Sequence, residues 1–265
     1  MKNEDIKERT DEALANLITA LEQGKSESLQ TYLATMARFH RYSWGIVLLI
    51  GAQKPDATRV AGFHTWLKLN RHVRKGEKGI VIIAPMVFRK KETEPTEDQE
   101  SRICGFRAAY VFDISQTDGE PLPEFAQVKG NPREYSERLK EFAASRGIAL
   151  EFSADLGGAS GVSTGGTIRL KPDLPAAEEF SVLVHKLAHE RLHHGAHRNE
   201  LTKTVHETEA EAVAFVVSEA IGLDTNGAAA DYIQLYHGDK AALVASLEFI
   251  QTTAAEILAF INPTQ

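Results

Sequence analysis

Cysteine is nearly absent: Cys104 stands alone in 265 residues. A single thiol excludes an internal disulfide, and it fits a reducing compartment, so a cytoplasmic protein is expected. Long apolar runs are also missing. None is read as reaching the roughly 18–20 residues that a membrane span needs, so no membrane association is expected. The opening residues, Met1 to Asp5, are polar and run into a charged amphipathic segment, which is unlike a secretory leader. No internal repeat is found. The glycine-rich stretch 157–166 lacks the Gly-Lys-Ser/Thr ending of a phosphate loop and does not lead directly into a helix. With Thr167–Leu170 it reads as a hairpin. Hydrophobic residues at 43% and charged residues at 25% suffice for one large or two modest globular cores.

What the chain does have is an uneven charge. The net charge is -7, yet Met36 to Lys91 holds 12 Lys or Arg against 2 Asp or Glu. A basic segment inside an acidic protein points to a polyanionic partner. Within it Arg38, Arg41, Arg59, Lys68, Arg71, Arg74, Lys75 and Lys78 are interleaved with Phe39, Tyr42, Trp44, Phe63 and Trp66. Single-stranded nucleic acid is held by cations along its phosphates and aromatic faces under its bases. The competing reading makes the aromatics core and the cations a solvated face.

Apolar periodicity predicts helices over 4–23 and 28–50, a short one over 63–69, and a strand over 80–87. Residues 90–102 are charged and read as an exposed loop, with a return strand over 108–114. Asn131-Pro132 is read as the cap and first residue of a helix ending near Gly147. Strands follow over 148–153 and 167–170, then helices over 178–194, 206–221, 229–236 and 240–261. The fold class is α+β in two domains, with a boundary near residue 130. Residues 1–130 form helices and an antiparallel sheet; residues 131–265 are mostly helical with a small sheet.

The sharpest motif is His185-Lys186-Leu187-Ala188-His189. Histidines four apart share one helix face, about 5–6 Å apart at Cβ, and can reach one ion. In zinc proteases the second position is a glutamate, the general base; here it is Lys186. A second helix carries Glu207-Thr208-Glu209-Ala210-Glu211 before turning apolar. Glu207 is the expected third ligand. Glu211, one turn on, is expected behind a ligating histidine as acceptor of its ring N–H. Glu209 faces the other way and is the weaker candidate. A competing register, His189-Glu190-Arg191-Leu192-His193, supplies Glu190 as an alternative base, but it sets a charged Arg191 between the histidines. Cationic Lys186 beside a zinc ion leaves nothing obvious to take a proton, so a site with little hydrolytic activity is the simplest expectation.

Several segments taken together resemble the ArdC family of antirestriction proteins. They are Gln53–Pro55 with Ala57–Phe63, Trp66, Val73–Ile80, Ala84-Pro85 and Val111–Thr117. The resemblance implies an N-terminal single-stranded-DNA-binding domain and a C-terminal zincin-like domain related to the ImmA/IrrE zinc metallopeptidases. His185, His189 and Glu207 match that family's ligands and Glu211 its second carboxylate, while Lys186 departs at the catalytic glutamate. It further implies a protein of mobile elements such as conjugative plasmids, with single-stranded DNA and a host restriction or regulatory protein as partners and Zn2+ as cofactor. The residues expected to meet DNA are Arg38, Arg41, Tyr42, Trp44, Arg59, Phe63, Trp66, Lys68, Arg71, Arg74, Lys75 and Lys78. Two other functions stay open: an active zinc metallopeptidase, and a non-enzymatic interaction protein using the apolar helices of 229–261.

Overall fold

The computed structural model describes residues 3–88, 102–120, 132–193, 203–223 and 239–262. The expected loop at 90–102, the Asn131 cap and the helix at 229–236 fall wholly or largely outside these residues. The chain runs α1 (Asn3–Glu22), α2 (Ser26–Arg38), α3 (Trp44–Gln53), β1 (Val60–Gly62), α4 (Phe63–Lys68), β2 (Arg71–Val73), β3 (Ile80–Phe88), β4 (Arg102–Asp113) and β5 (Thr117–Gly119). It continues with α5 (Arg133–Ser145), β6 (Ala149–Phe152), β7 (Gly161–Ser163), β8 (Thr167–Leu170), α6 (Ala176–His193), α7 (Lys203–Ala220) and α8 (Lys240–Ile261). This is an α+β fold. The single helix expected over 28–50 is broken at Phe39–Ser43, where Phe39 leaves helical geometry with φ -123°. Apolar residues on both sides of the break hide it in the sequence.

The chain divides into two compact units, Met1–Asn16 with Gly45–Leu122, and Leu17–Trp44 with Pro123–Gln265. A linear boundary near residue 130 leaves Leu17–Trp44 in the first domain; compactness places that segment with the second. The reason is local: Leu29, Leu33 and Met36 give α2 an apolar face, all three are buried, and α2 packs on α7.

In the first unit β3 and β4 pair antiparallel, with Val81 opposite Tyr110 and Pro85 opposite Phe106. β1 adds to the other side of β4, only opposite Val111–Asp113. Ile6 of α1, Leu49 of α3 and Val81 form a buried cluster against one face of this sheet, with Ile83 and Ala108 beside it. The Gln53 side chain extends the sheet's pairing: it donates to the Val81 carbonyl at 2.9 Å and accepts from the Val81 N–H at 3.0 Å.

In the second unit α6 packs on α7, α7 on α8, and α5 on α8. The sheet order is β6–β8–β7, with β8 parallel to β6 and antiparallel to β7. A Cβ at Gly161 would lie 2.7 Å from Val182 Cγ1, so glycine lets β7 close onto α6. Pro132 occupies the position before α5, without a side-chain cap. By length and composition α8 is apolar enough to cross a membrane, which the sequence reading missed. Its buried row, Leu243, Leu247, Ile250, Ala254, Ile257 and Ile261, makes it a core helix of this unit.

Candidate functional site

α6 carries His185 and His189 four residues apart, so the two rings stack edge to face with centroids 4.8 Å apart. Buried Phe180, Leu183, Val184, Leu187 and Ala188 fix the helix rotation that places them together. α7 brings Glu207 to the same point. His189 Nε2 lies 3.2 Å and His185 Nε2 3.7 Å from Glu207 Oε2. The ligand atoms of these three residues all lie within 4.8 Å of one another. Two ligands at 2.0–2.2 Å from a tetrahedral ion stand about 3.4 Å apart. The two histidine-to-Glu207 separations are close to that spacing, so the three expected ligands could hold a divalent ion.

Glu211 stands differently from expectation. Its Oε2 is 3.7 Å from His185 Nε2, the same nitrogen that faces Glu207. It therefore approaches the ligating side of the ring rather than the far ring nitrogen. Glu209 is fully buried on the opposite side of α7, away from this cluster.

Burial pushes His185 down to about 4, helped by the charge of Lys186 and by His189, with Glu207 opposing. Neutral imidazole at neutral pH is the form that binds metal. Burial also holds the Lys186 ammonium below its usual range, while Glu207 and Glu211 pull it back up. Glu211 is raised by burial and by Glu207, with Lys186 opposing. Lys186 thus lies within the field of both carboxylates.

Glu190, the alternative base, is hydrogen-bonded to the β7–β8 hairpin. It is 1% exposed. Its carboxylate accepts from the Ser163 hydroxyl, from Gly165 N–H at 3.0 Å and from Gly166 N–H at 2.7 Å. These donors form the β7–β8 turn, so Glu190 ties α6 to that hairpin. The side chain of His193, which the competing register needs, lies outside the described residues. Sequence alone offered no sign of the Glu190 role, because its partners are some 25 residues away.

The residues expected to meet DNA separate into groups. Arg38, Arg41, Tyr42 and Trp44 belong to the second unit, the other eight to the first. Arg38 and Arg41 are exposed, Tyr42 and Trp44 half-buried. Trp66 is 2% exposed and its Nε1 donates to the Phe112 carbonyl at 2.9 Å, so it is core and cannot stack on a base. Arg71 is buried: its guanidinium donates to Thr117 Oγ1 at 2.9 Å, to the Thr117 carbonyl at 3.0 Å, and to the Gly119 and Glu120 carbonyls. It holds β2 to β5 and is not open to phosphate. Arg59 is half-buried, whereas Phe63, Lys68, Arg74, Lys75 and Lys78 are exposed.

The basic turn 74–79 is held firmly. Arg74 pairs with Glu77 at 2.8 Å. The Gln116 amide donates to Glu77 Oε2 at 3.1 Å and to the Lys78 carbonyl at 2.9 Å. Gln116 is itself set by Asp113, whose N–H it accepts at 2.9 Å. The Asp113 carboxylate accepts from the backbone N–H of Thr58, Arg59 and Ser115. Burial pushes Asp113 up, but these hydrogen bonds outweigh it and hold the group below the usual carboxylate range. Lys75 and Lys78 are thus displayed on a rigid support. The sequence reading passed over Phe106 and Tyr110, which are 53% and 51% exposed. The period-two run Phe106, Ala108, Tyr110, Phe112 was the available signal.

Comparison with known proteins bears on the family and the fold. Residues 5–112 match the family model described as the N-terminal domain of anti-restriction factor ArdC. An uncharacterized Bacillus anthracis protein, pXO2-81, is 27% identical over 281 aligned residues, spanning 87% of this chain and 47% of that protein. The chain thus spans about half the length of that curated relative. Two crystal structures of the antirestriction ArdC protein from the R388 plasmid share the fold, each with a TM-score of 0.54 over 97% of this chain. The metal-free form is 17% identical over 98% of its own length, the Mn(II)-bound form 19% over 99%. Residues 5–112 are thus similar to the ArdC N-terminal domain, and the chain shares the fold of the two ArdC structures.

Proposed function

We propose that this chain binds single-stranded DNA through its first unit, while its second unit is a zincin-like divalent-metal scaffold of little hydrolytic activity. The observation that carries the reading is the cluster of His185, His189 and Glu207 with Lys186, not a glutamate, at the position after the first histidine. His185, His189 and Glu207 would hold the ion, with Glu211 as a further oxygen donor. A bound ion would supply Lewis acidity, and Zn2+ is the ion this donor set suits best. Lys186 offers only a cation next to that charge, and Glu190 is occupied by the β7–β8 turn.

The DNA reading rests on the matched N-terminal domain and on the exposed cations of the 74–79 turn. Acting in the cytoplasm for a mobile element, the protein would cover incoming single strands and so counter a host restriction system.

Two measurements on one preparation test this. A labelled single strand should bind at low salt. The metal-loaded protein should not turn over an unfolded protein substrate. No binding at low salt overturns the DNA reading. Chelator-sensitive cleavage overturns the second.

A further inference from the structure

We infer that Phe106 and Tyr110 on β4 are the base-stacking platform of the DNA-binding unit, with Lys75 and Lys78 holding the neighbouring phosphates. This rests on the single-stranded DNA reading above and assigns its contact residues. Neither ring belongs to the set that composition suggested.

Three observations converge. First, residues 106, 108 and 110 share one face of β4 by strand alternation. Ala108 in the middle packs toward the Ile6–Leu49–Val81 core, while the rings on either side remain more than half exposed. A four-residue separation on a strand puts the rings roughly 13 Å apart, one on each side of the core contact, so each offers its own stacking surface. Second, the rings flank an open edge. Pairing with β1 stops at Gly62 opposite Val111, so among the described residues no strand covers the β1 side of β4 at Phe106–Tyr110. Third, the basic turn lies directly at this face. A Cβ on Gly79 would stand 3.1 Å from both Cβ and Cδ1 of Tyr110 and 3.2 Å from the Phe112 ring. Glycine there lets the Tyr110 ring approach the backbone that carries exposed Lys78. The basic turn and the exposed Tyr110 ring thus meet at one place, with Phe106 further along the same strand face, the combination that holds single strands without reading sequence.

Exposed rings of this kind also suit a protein strand added to the β4 edge. The charge favours nucleic acid: Lys68, Lys75 and Lys78 are exposed cations of this same unit.

The test uses fluorescence anisotropy of the full chain with a fluorescein-labelled oligodeoxythymidylate, and with an abasic strand of the same length. The wild type should bind the abasic strand at least tenfold more weakly. Phe106→Ala and Tyr110→Ala should each weaken oligodeoxythymidylate binding about tenfold, the scale of one lost base stack. Neither should change abasic binding or the salt dependence. Tyr110→Trp should retain affinity, and Tyr110→Leu, which keeps apolar bulk without a ring, should lose it. Circular dichroism verifies folding of each variant. Wild-type binding with ring variants that bind equally well overturns the assignment and leaves the edge to a protein partner. Absence of wild-type binding to either strand overturns the DNA reading itself.

Discussion

Glu190 gives the sharpest contrast between two readings of this sequence. As a general base it would matter to chemistry and little to stability. As an anchor it must matter to stability. Glu190→Gln keeps the shape but replaces one oxygen with an NH2 group. Gly165 N–H points at one carboxylate oxygen and Gly166 N–H at the other. In the amide, one of these turn donors loses its acceptor and faces another donor. Losing a hydrogen bond to a charged group costs about 1.5–3 kcal/mol. Glu190→Ala strands the Ser163 hydroxyl as well and opens a gap under the turn, for about 3–5 kcal/mol. At about 2–4 °C per kcal/mol, the Gln variant should melt roughly 3–12 °C below wild type. Thermal unfolding followed by circular dichroism measures this, in chelator so that metal binding does not contribute. A Gln variant that melts with the wild type refutes the anchoring argument.

Three further outcomes follow from the geometry. Lys186→Gln removes a positive charge from the field of Glu207 and Glu211, so calorimetric titration with Mn(II) or Zn(II) should show about tenfold tighter binding, the order of a screened Coulomb term at short range; unchanged affinity would place Lys186 outside the site's field. Asp113 sits below its unfolded value near 3.9, so its stabilisation is complete above that pH and is lost as pH falls below about 4. Urea midpoints of the wild type should fall more steeply than those of Asp113→Asn in that acidic window, and parallel curves would contradict this. Arg71→Met should lower the melting temperature by several degrees without altering the salt dependence of DNA binding, since its guanidinium is spent on β5 and Glu120; a reduced salt slope would return Arg71 to the DNA surface.

Much of the scaffold was legible because its signals are local. The α6 and α7 periodicities, the β3 run and the spacing of His185 and His189 all lie within single elements, and the folded helices bring Glu207 to the two histidines. Strands of three residues, β1, β2, β5 and β7, are too short to show alternation. The placements that differ depend on distant partners. Trp66 finds the Phe112 carbonyl, Arg71 finds β5, and Glu190 finds a turn formed by residues 163–166. Composition ranked Trp66 and Arg71 as DNA contacts because aromatic and cation counts do not register burial. It passed over Phe106 and Tyr110 because they lie outside the most basic stretch.

The central claim is that DNA recognition resides in the first unit's basic turn and adjoining sheet. The direct measurement is the slope of log binding constant against log salt for a single strand, for wild type and a Lys75→Gln/Lys78→Gln double variant. Each phosphate contact contributes about 0.7 to that slope on single strands. The account predicts clear binding at low salt and a slope shallower by about 1.4 in the double variant. Equal slopes and affinities, or no binding by the wild type, would contradict it.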